Sequence, residues 1–484
     1  MLNLPNKRLK RTTIIIFGLG AFLAGIAMSR VVAIDLSWLL FAAILLAASG
    51  RRSAHYILMC SILLGLTFGI WRGSIYMEKI ALYEPLNGQA VTIEGRADTD
   101  AIYTDKSQIS FDAAKLKVIS PVSSEVAGKV AVRGFGPAMV YRGDTIRAEA
   151  KLYKTRGSRQ ASLSFADITV LKRGGSWLDN FRRNFLAGLQ SALPEPLASF
   201  AAGLIIGQRS TLPQSTTNDL KSAGLTHIVA VSGYNLTIII YFVHRLLKSR
   251  SKYQATAVSL ICISLFLLIT GFSASIVRAA IVSVLAIAAW YYGRQFRPLL
   301  LILLAAAITA GHYPIYLWSD IGWYLSFLAF FGVLVIAPII SGRIYRNKQP
   351  RLVGKVAIET IAAQIMALPL IMYIFGEVSL VSLLANVAVV PLVPLAMLLS
   401  AVAGLAGMLA PSLAGWLAWP ATFLLTYMLD IVHLFASVPR ALANSRLLLG
   451  QLLLIYGVII GLTWLLWNKL KRRNAIITEK ETIF

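Results

Sequence analysis

Apolar runs close to the ~20 residues that a membrane-spanning helix needs recur from one end of this chain to the other. They constrain the fold more than any other feature, because a soluble core cannot absorb so many. The composition agrees, with 57% apolar and 14% charged residues and a mean hydropathy of +0.71, where soluble chains carry about 25% charged residues. A bilayer is the expected solvent for most of the 484 residues.

Lys and Arg number 46 against 21 Asp and Glu, a net charge of +25. Such an excess serves either inner-face topology or attraction of a polyanion, and position separates the two. When basic clusters are placed in the cytoplasm, the spans Thr12–Met28, Val32–Ala48 and Ala54–Ile75 lead from an internal Lys7–Arg11 to an external segment at Leu86. The chain returns along His227–Leu247 and then runs through Tyr253–Thr270, Ala274–Tyr292, Leu299–Gly311, Tyr316–Ile340, Val356–Phe375, Ser379–Leu409, Trp416–Val438 and Leu447–Leu470. About twelve segments result, some of them broken or re-entrant around Pro369, Pro391, Pro394 and Pro420, with both termini cytoplasmic. Cys60 and Cys262 sit inside apolar runs and imply neither a disulfide framework nor a thiolate metal site.

Between Asn87 and Lys172 the pattern changes to alternation, as in Val91/Ile93, Ile109/Phe111, Val130/Val132, Ile146/Ala148/Ala150/Leu152, and Leu163/Phe165 continuing to Ile168/Val170. Period two predicts half-buried strands, separated by turns at Asn87-Gly88, Ser120-Pro121, Gly128 and Arg142-Gly143-Asp144. About five strands in roughly 85 residues fit a small barrel of the oligonucleotide/oligosaccharide-binding (OB) type. Its 13 basic and 9 acidic residues leave it only four positive charges in excess. The basic residues Arg142, Arg147, Lys151, Lys154 and Arg156 cluster late, interleaved with Tyr153. Cations for phosphates and rings for bases are what single-strand binding requires, although a solvated barrel face carries the same residues. Trp177, Phe181, Phe185 and Leu189 then recur at four-residue spacing behind a Ser176-x-x-Asp179 cap, which predicts an amphipathic helix on the outer leaflet.

A polar stretch runs straight into a span at His227, Ser232 and Asn235. Gly207, Arg209, Ser210, His227, Ala230, Ser232, Gly233 and Asn235 resemble the motif block of the ComEC-type competence family of DNA-internalisation membrane proteins. The ordered segments that follow are similar to that family as well: Gly271–Ser275 with Val277-Arg278-Ala279, Asp320–Phe327, Gln364–Pro369 and Asn386–Pro391. Gln208, Tyr234, Asn235 and Trp323-Tyr324 depart from the usual residues.

The resemblance implies passage of single-stranded DNA across the cytoplasmic membrane during natural transformation. The pathway is expected along His227, Ser232, Gly233, Asn235, Arg209, Arg278, Gln364 and Asn386, with Asp430 a further intramembrane candidate. It divides the chain into N-terminal spans (1–85), an extracytoplasmic OB-like domain (86–173), interfacial helices (174–225), a channel domain (226–472) and a cytoplasmic tail (473–484). Many relatives also carry a metallo-β-lactamase-like domain, and this chain reads as a short form without it. Its five histidines, His55, His227, His244, His312 and His433, are scattered, so neither a metal site nor a cofactor is expected, and no enzyme activity.

DNA moving into an inside-negative cell meets about 2.3 kcal/mol per charge per 100 mV. The sequence has no phosphate-binding G-x-x-x-x-G-K-[ST] loop. A cytoplasmic ATP-driven motor or single-strand-binding protein, an external DNA receptor or pilus system and a separate nuclease are the expected partners. The alternative is a transporter or membrane enzyme for another anionic or lipid-linked substrate.

Overall fold

The computed structural model describes residues 10–35, 37–38, 54–103, 108–121, 123–136, 139–155, 157, 159–208, 211–229, 236, 240, 243, 246–247, 251–270, 274–293, 297–345 and 352–481. The chain forms two compact units, Met1–Arg183 with Ile263–Trp323, and Asn184–Cys262 with Tyr324–Phe484.

The first unit opens on two apolar helices, Arg11–Met28 and Ala54–Ala81. The second of them carries small residues every fourth position, Ser61, Gly65, Gly69 and Gly73, which places them on one face. That face lies directly on Gly18, Phe22, Gly25 and Ser29 of the first helix. A β-carbon on Gly69 would overlap the Phe22 carbonyl oxygen, and one on Gly65 the Gly18 carbonyl oxygen. Without a hydrophobic effect inside lipid, this close backbone approach is the main source of helix association.

After Ala81 the backbone turns into six strands: β1 (Ala90–Ala97), β2 (Ile102–Tyr103), β3 (Ile109–Ser120), β4 (Ser124–Phe135), β5 (Thr145–Lys154) and β6 (Ala161–Lys172). Their pairing runs β1-β5-β6-β4-β3, and β3 returns to β1, so the sheet closes into a five-stranded barrel with β2 paired to β3. All pairs are antiparallel except β4 with β6. Lys115 and Phe165 adopt positive φ (52° and 56°), next to register shifts in β3 and β6. Such bulges supply the strand bending that closure demands. The core is the alternating set expected from the sequence, including Val91, Ile93, Phe111, Val132, Ile146, Leu152, Leu163 and Ile168, with one correction: the bulge in β6 turns Phe165 outward, leaving it 72% exposed. Tyr83, just beyond the Ala54–Ala81 helix, is buried in this core, and its hydroxyl donates to the Ala127 carbonyl at 3.0 Å. The barrel is thereby riveted to the helix that precedes it.

Asp144 is fully buried and accepts from Tyr141 N (3.0 Å), Gly174 N (2.7 Å) and Arg173 Nη1 (2.7 Å). Asp144→Ala orphans all three donors and is expected to destabilise the barrel by ~3 kcal/mol. Hydrogen exchange of barrel amides in the detergent-solubilised protein measures this; unchanged protection refutes it.

Eight helices among the described residues are long and apolar enough to cross a membrane. They are the two above and Lys252–Thr270, Ile321–Ile344, Val353–Phe375, Ser382–Leu409, Pro411–Ala436 and Leu449–Lys469. Two further expected spans are short helices, Ser275–Tyr291 and Pro298–His312. Most of Val32–Ala48 and of His227–Leu247 lies outside the described residues.

Pro391 and Pro394 mark a break as expected, whereas Pro369 and Pro420 lie inside continuous helices, against that expectation. Pro391 lies in a 3-10 turn, Val390–Leu392, and Pro369 lies inside its helix. The Tyr456 hydroxyl donates to the Met366 carbonyl at 2.9 Å, within a turn of Pro369. Pro369 itself leaves the Ile365 carbonyl, four residues earlier, without its helical donor, so the Tyr456 bond ties two helices together beside that gap.

The amphipathic helix is present as Trp177–Ala192. Trp177 is 70% exposed and stacks on Phe181. Its second half does not lie on a surface: Phe185, Gly188 and Leu189 are buried against Gly404 and Gly407 of Ser382–Leu409. The cap is also only half formed, because Ser176 Oγ accepts from Leu178 N at 3.3 Å while Asp179 turns to Arg96 at 3.5 Å.

Candidate functional site

Alternation in β5 sends Ile146, Ala148 and Leu152 into the core and leaves Arg147, Lys151 and Tyr153 outside. Arg147 stands opposite Glu94 in register, and its Nε (3.1 Å) and Nη2 (2.6 Å) both donate to Glu94 Oε1. Lys154 Nζ lies 2.6 Å from Glu84 and holds that carboxyl below the usual carboxylate range. Arg142 is half-buried beside Arg182 and near Asp98, Asp100 and Asp179; burial lowers its pKa, and its backbone N donates to Asp100 Oδ1 at 2.9 Å. Lys151 and Tyr153 are exposed, and Arg156 lies outside the described residues.

The late basic stretch is therefore largely matched by acids, as are Arg159 by Asp112 (2.7 Å), Arg173 by Asp144 and Arg182 by Asp100 (2.7 Å). Arg133 on β4 differs. It is exposed, stands opposite Ser110, and has no carboxylate partner among the described residues. A lone cation at an outward strand position is its only sequence signal, which composition counting passes over.

Arg133 lines a cavity of about 410 Å³ with Thr155, Gly157, Arg159 and Ser162 on the barrel side and Ser319–Gly322 on the other. Ser319 Oγ donates to the Gly157 carbonyl at 2.7 Å, tying the β5–β6 loop to the start of the Ile321–Ile344 helix. Asp320 caps that helix, its Oδ1 accepting from Trp323 N at 2.8 Å. Arg278, only 3% exposed on the Ala274–Tyr291 helix, is within electrostatic reach of Asp320 and Tyr316. All of these residues belong to the first unit.

In the second unit, Gln364 Nε2 donates to Ser382 Oγ at 2.8 Å, and Asn386 Nδ2 donates to the Ser382 carbonyl at 2.7 Å. His227 is placed to hydrogen-bond the Asn386 side chain and the Gly224 backbone. Gly224, at φ +71°, lies so close to Ser382 and Ser379 that a β-carbon would clash with both. Ser379 Oγ donates to the Ser222 carbonyl at 2.7 Å, and Lys221 pairs with Glu377 at 2.6 Å. Three segments far apart in sequence thus meet on Ser382, which no sequence pattern singled out. Asp430 is exposed on its helix. Arg209, Ser232, Gly233 and Asn235 lie outside the described residues. Among the described residues no group of three or more His, Cys, Asp or Glu is placed to hold a metal ion.

Many apolar spans, a closed barrel inserted after the first of them and polar side chains held between helices define a multi-pass membrane protein with an inserted β-barrel. The competence protein family matches residues 204–470, more than half of the chain, and the chain belongs to that family. It is 26% identical over 206 residues to the ComE operon protein 3 of Bacillus subtilis (strain 168). That match spans 42% of this chain and 25% of the relative. No solved structure matches the chain.

Proposed function

We propose that this protein passes single-stranded DNA across the cytoplasmic membrane, receiving the strand on the barrel and moving it along a polar path between helices. The observation that carries the reading is the junction at Ser319–Gly157. With the two-residue β2 set aside, the barrel closes in the order first-second-third-fifth-fourth-first, with third and fifth parallel. That order is of the OB type, whose second and third strands and fourth-to-fifth loop bind oligonucleotides. Here that loop and β4 face the start of a family segment, Ser319–Gly322.

The distribution of basic clusters supports a barrel outside and both termini inside. His227, Gln364 and Asn386, with Ser232, Gly233 and Asn235 following His227 in sequence, line the path, together with Arg209 and Arg278. Lys151, Tyr153 and Arg156 contribute on the barrel, where Arg142, Arg147 and Lys154 act chiefly through their acid partners. A cytoplasmic motor or single-strand-binding protein pulls, an external receptor or pilus delivers, and a separate nuclease removes the other strand.

Fluorescence anisotropy on the full protein in lipid nanodiscs tests this. An oligothymidylate is expected to bind at least about tenfold more tightly than polyphosphate of equal charge, because stacking adds roughly 1–3 kcal/mol per base. Its affinity should fall with salt by a slope of about 0.7 per phosphate contacted. Equal affinity for the two polyanions, or no binding at low salt, overturns the reading and favours a transporter of some other anion.

A further inference from the structure

We infer that Tyr153, Phe165 and Phe135 form a three-ring stacking face on the outside of the barrel, each ring taking one base of a single nucleic-acid strand. The inference rests on the proposed function and names the residues that hold bases rather than phosphates.

Phe165 is the key to this face, because its position in β6 is unfavourable on two counts. Relative to both neighbours, β6 carries one residue too many here: Leu163 to Ala166 spans Val132 to Gly134 on β4, and Ser164 to Asp167 spans Lys151 to Glu149 on β5. The surplus falls on Phe165, which takes a φ of 56° and turns out of the core. Left-handed backbone is a poor conformation for a bulky residue, and water is a poor environment for a phenyl ring. Barrel closure calls for a bulge, but glycine would fill the same position without either penalty. The other bulge residue with positive φ, Lys115 in β3, carries an ammonium that water solvates. The neighbouring strand keeps the β6 bulge in place: Gly134 of β4 lies so near that a β-carbon there would overlap the Ala166 carbonyl oxygen. Strain held by its surroundings in this way points to a functional position.

Two more rings line up with Phe165. Tyr153 of β5 stands opposite Ser162, and Phe135 of β4 stands opposite Asp167, so they flank Phe165 from the two neighbouring strands. Both are exposed, 46% for Tyr153 and 51% for Phe135, whereas Leu152 and Gly134 beside them are buried. From strand spacing and rise, successive rings are rooted roughly 8–10 Å apart on a diagonal across β5, β6 and β4. What lies between the rings decides the partner. Ser162, Ser164 and Asp167 of β6 separate them, so they do not merge into the continuous apolar patch that a protein partner buries. The flanking charges, Lys151 and Arg133 against Glu149 and Asp167, are equal in number, so the face offers flat π surface rather than a net field. Separate rings on a neutral, polar sheet fit flat partners taken one at a time. The bases of a single strand are such partners, and they stack with little sequence preference.

Fluorescence anisotropy on the full protein in phosphatidylcholine nanodiscs, comparing an oligothymidylate with an abasic oligonucleotide of equal length, tests the face. The wild type is expected to bind the oligothymidylate more tightly. Phe165→Gly should weaken that binding about tenfold, in the range for removing one stacked ring, and leave the abasic strand unchanged. Phe135→Ala should do the same, and Phe165→Trp should keep wild-type affinity. Glycine relieves the positive φ and so offsets its greater chain entropy, and Phe165→Gly is expected to melt close to the wild type, which separates binding from folding. Equal binding of the two strands by the wild type, wild-type affinity in both Phe165→Gly and Phe135→Ala, or a parallel loss for both strands overturns the stacking face and leaves the proposed function standing. Absence of binding of either strand overturns both.

Discussion

Gly69→Leu is expected to prise apart the first two described helices and to cost roughly 3 kcal/mol or more, the upper range of overpacking effects. The reason is what the new side chain would strike. A β-carbon at Gly69 overlaps the Phe22 carbonyl oxygen and lies 2.9 Å from Ile26 N and 3.0 Å from Gly25 Cα. These are backbone atoms of a rigid helix, which cannot rotate away as a side chain does. Gly20 provides the control, because nothing lies within 4 Å of its β-carbon position. In detergent, Gly69→Leu should melt well below the wild type and Gly20→Leu close to it. Equal melting of the two variants would refute the close-packed interface.

Arg278→Ala should have the second large effect, on the proposed DNA uptake rather than on stability alone. Removing the guanidinium takes away a cation only 3% exposed and within electrostatic reach of Asp320. Breaking such an arrangement costs ~3 kcal/mol, about a hundredfold in an equilibrium. Uptake of labelled DNA into cells is therefore expected to fall about a hundredfold or more. Adding Asp320→Asn should recover the protein level by removing the stranded carboxylate, yet uptake should stay low. Wild-type uptake in Arg278→Ala would remove that residue from the path; full recovery in the double variant would reduce its role to neutralising Asp320.

The fold was legible where periodicity is strong. Period two from Val91 to Val170 located the barrel strands, and its inward residues are the observed core except Phe165, which a bulge that no periodicity shows turns outward. The turn at Arg142-Gly143-Asp144 was legible too, but the buried role of Asp144 was not, because a turn aspartate and a buried hub look the same in one dimension. Span limits were harder to read. Pro298–His312 is only 15 residues long, and a hydropathy run does not say whether a helix crosses or stops.

The candidate site was legible in part, for a physical reason. Polar residues inside apolar runs are conspicuous, so Arg278, Gln364, Asn386 and His227 stood out, and three of them meet around Ser382. Charge density misleads where acids lie across a strand pair: Arg147 is 53 residues from Glu94, and Lys154 is 70 from Glu84. Arg133 carries no such signal, because one dimension does not show that it faces no carboxylate among the described residues.

The first unit is discontinuous in sequence, and this has a consequence for synthesis. Met1–Arg183 must wait for Ile263–Trp323, whose last residue follows Arg183 by 140 positions. At about 5–20 residues per second, ~7–28 s separate the emergence of the two parts. The barrel closes on its own early contacts in that interval, while its Gly157 loop still lacks Ser319. A nascent chain therefore carries, for seconds, a barrel whose Gly157 carbonyl has yet to meet Ser319, and a ribosome stalled before Ser319 would leave that loop without its anchor.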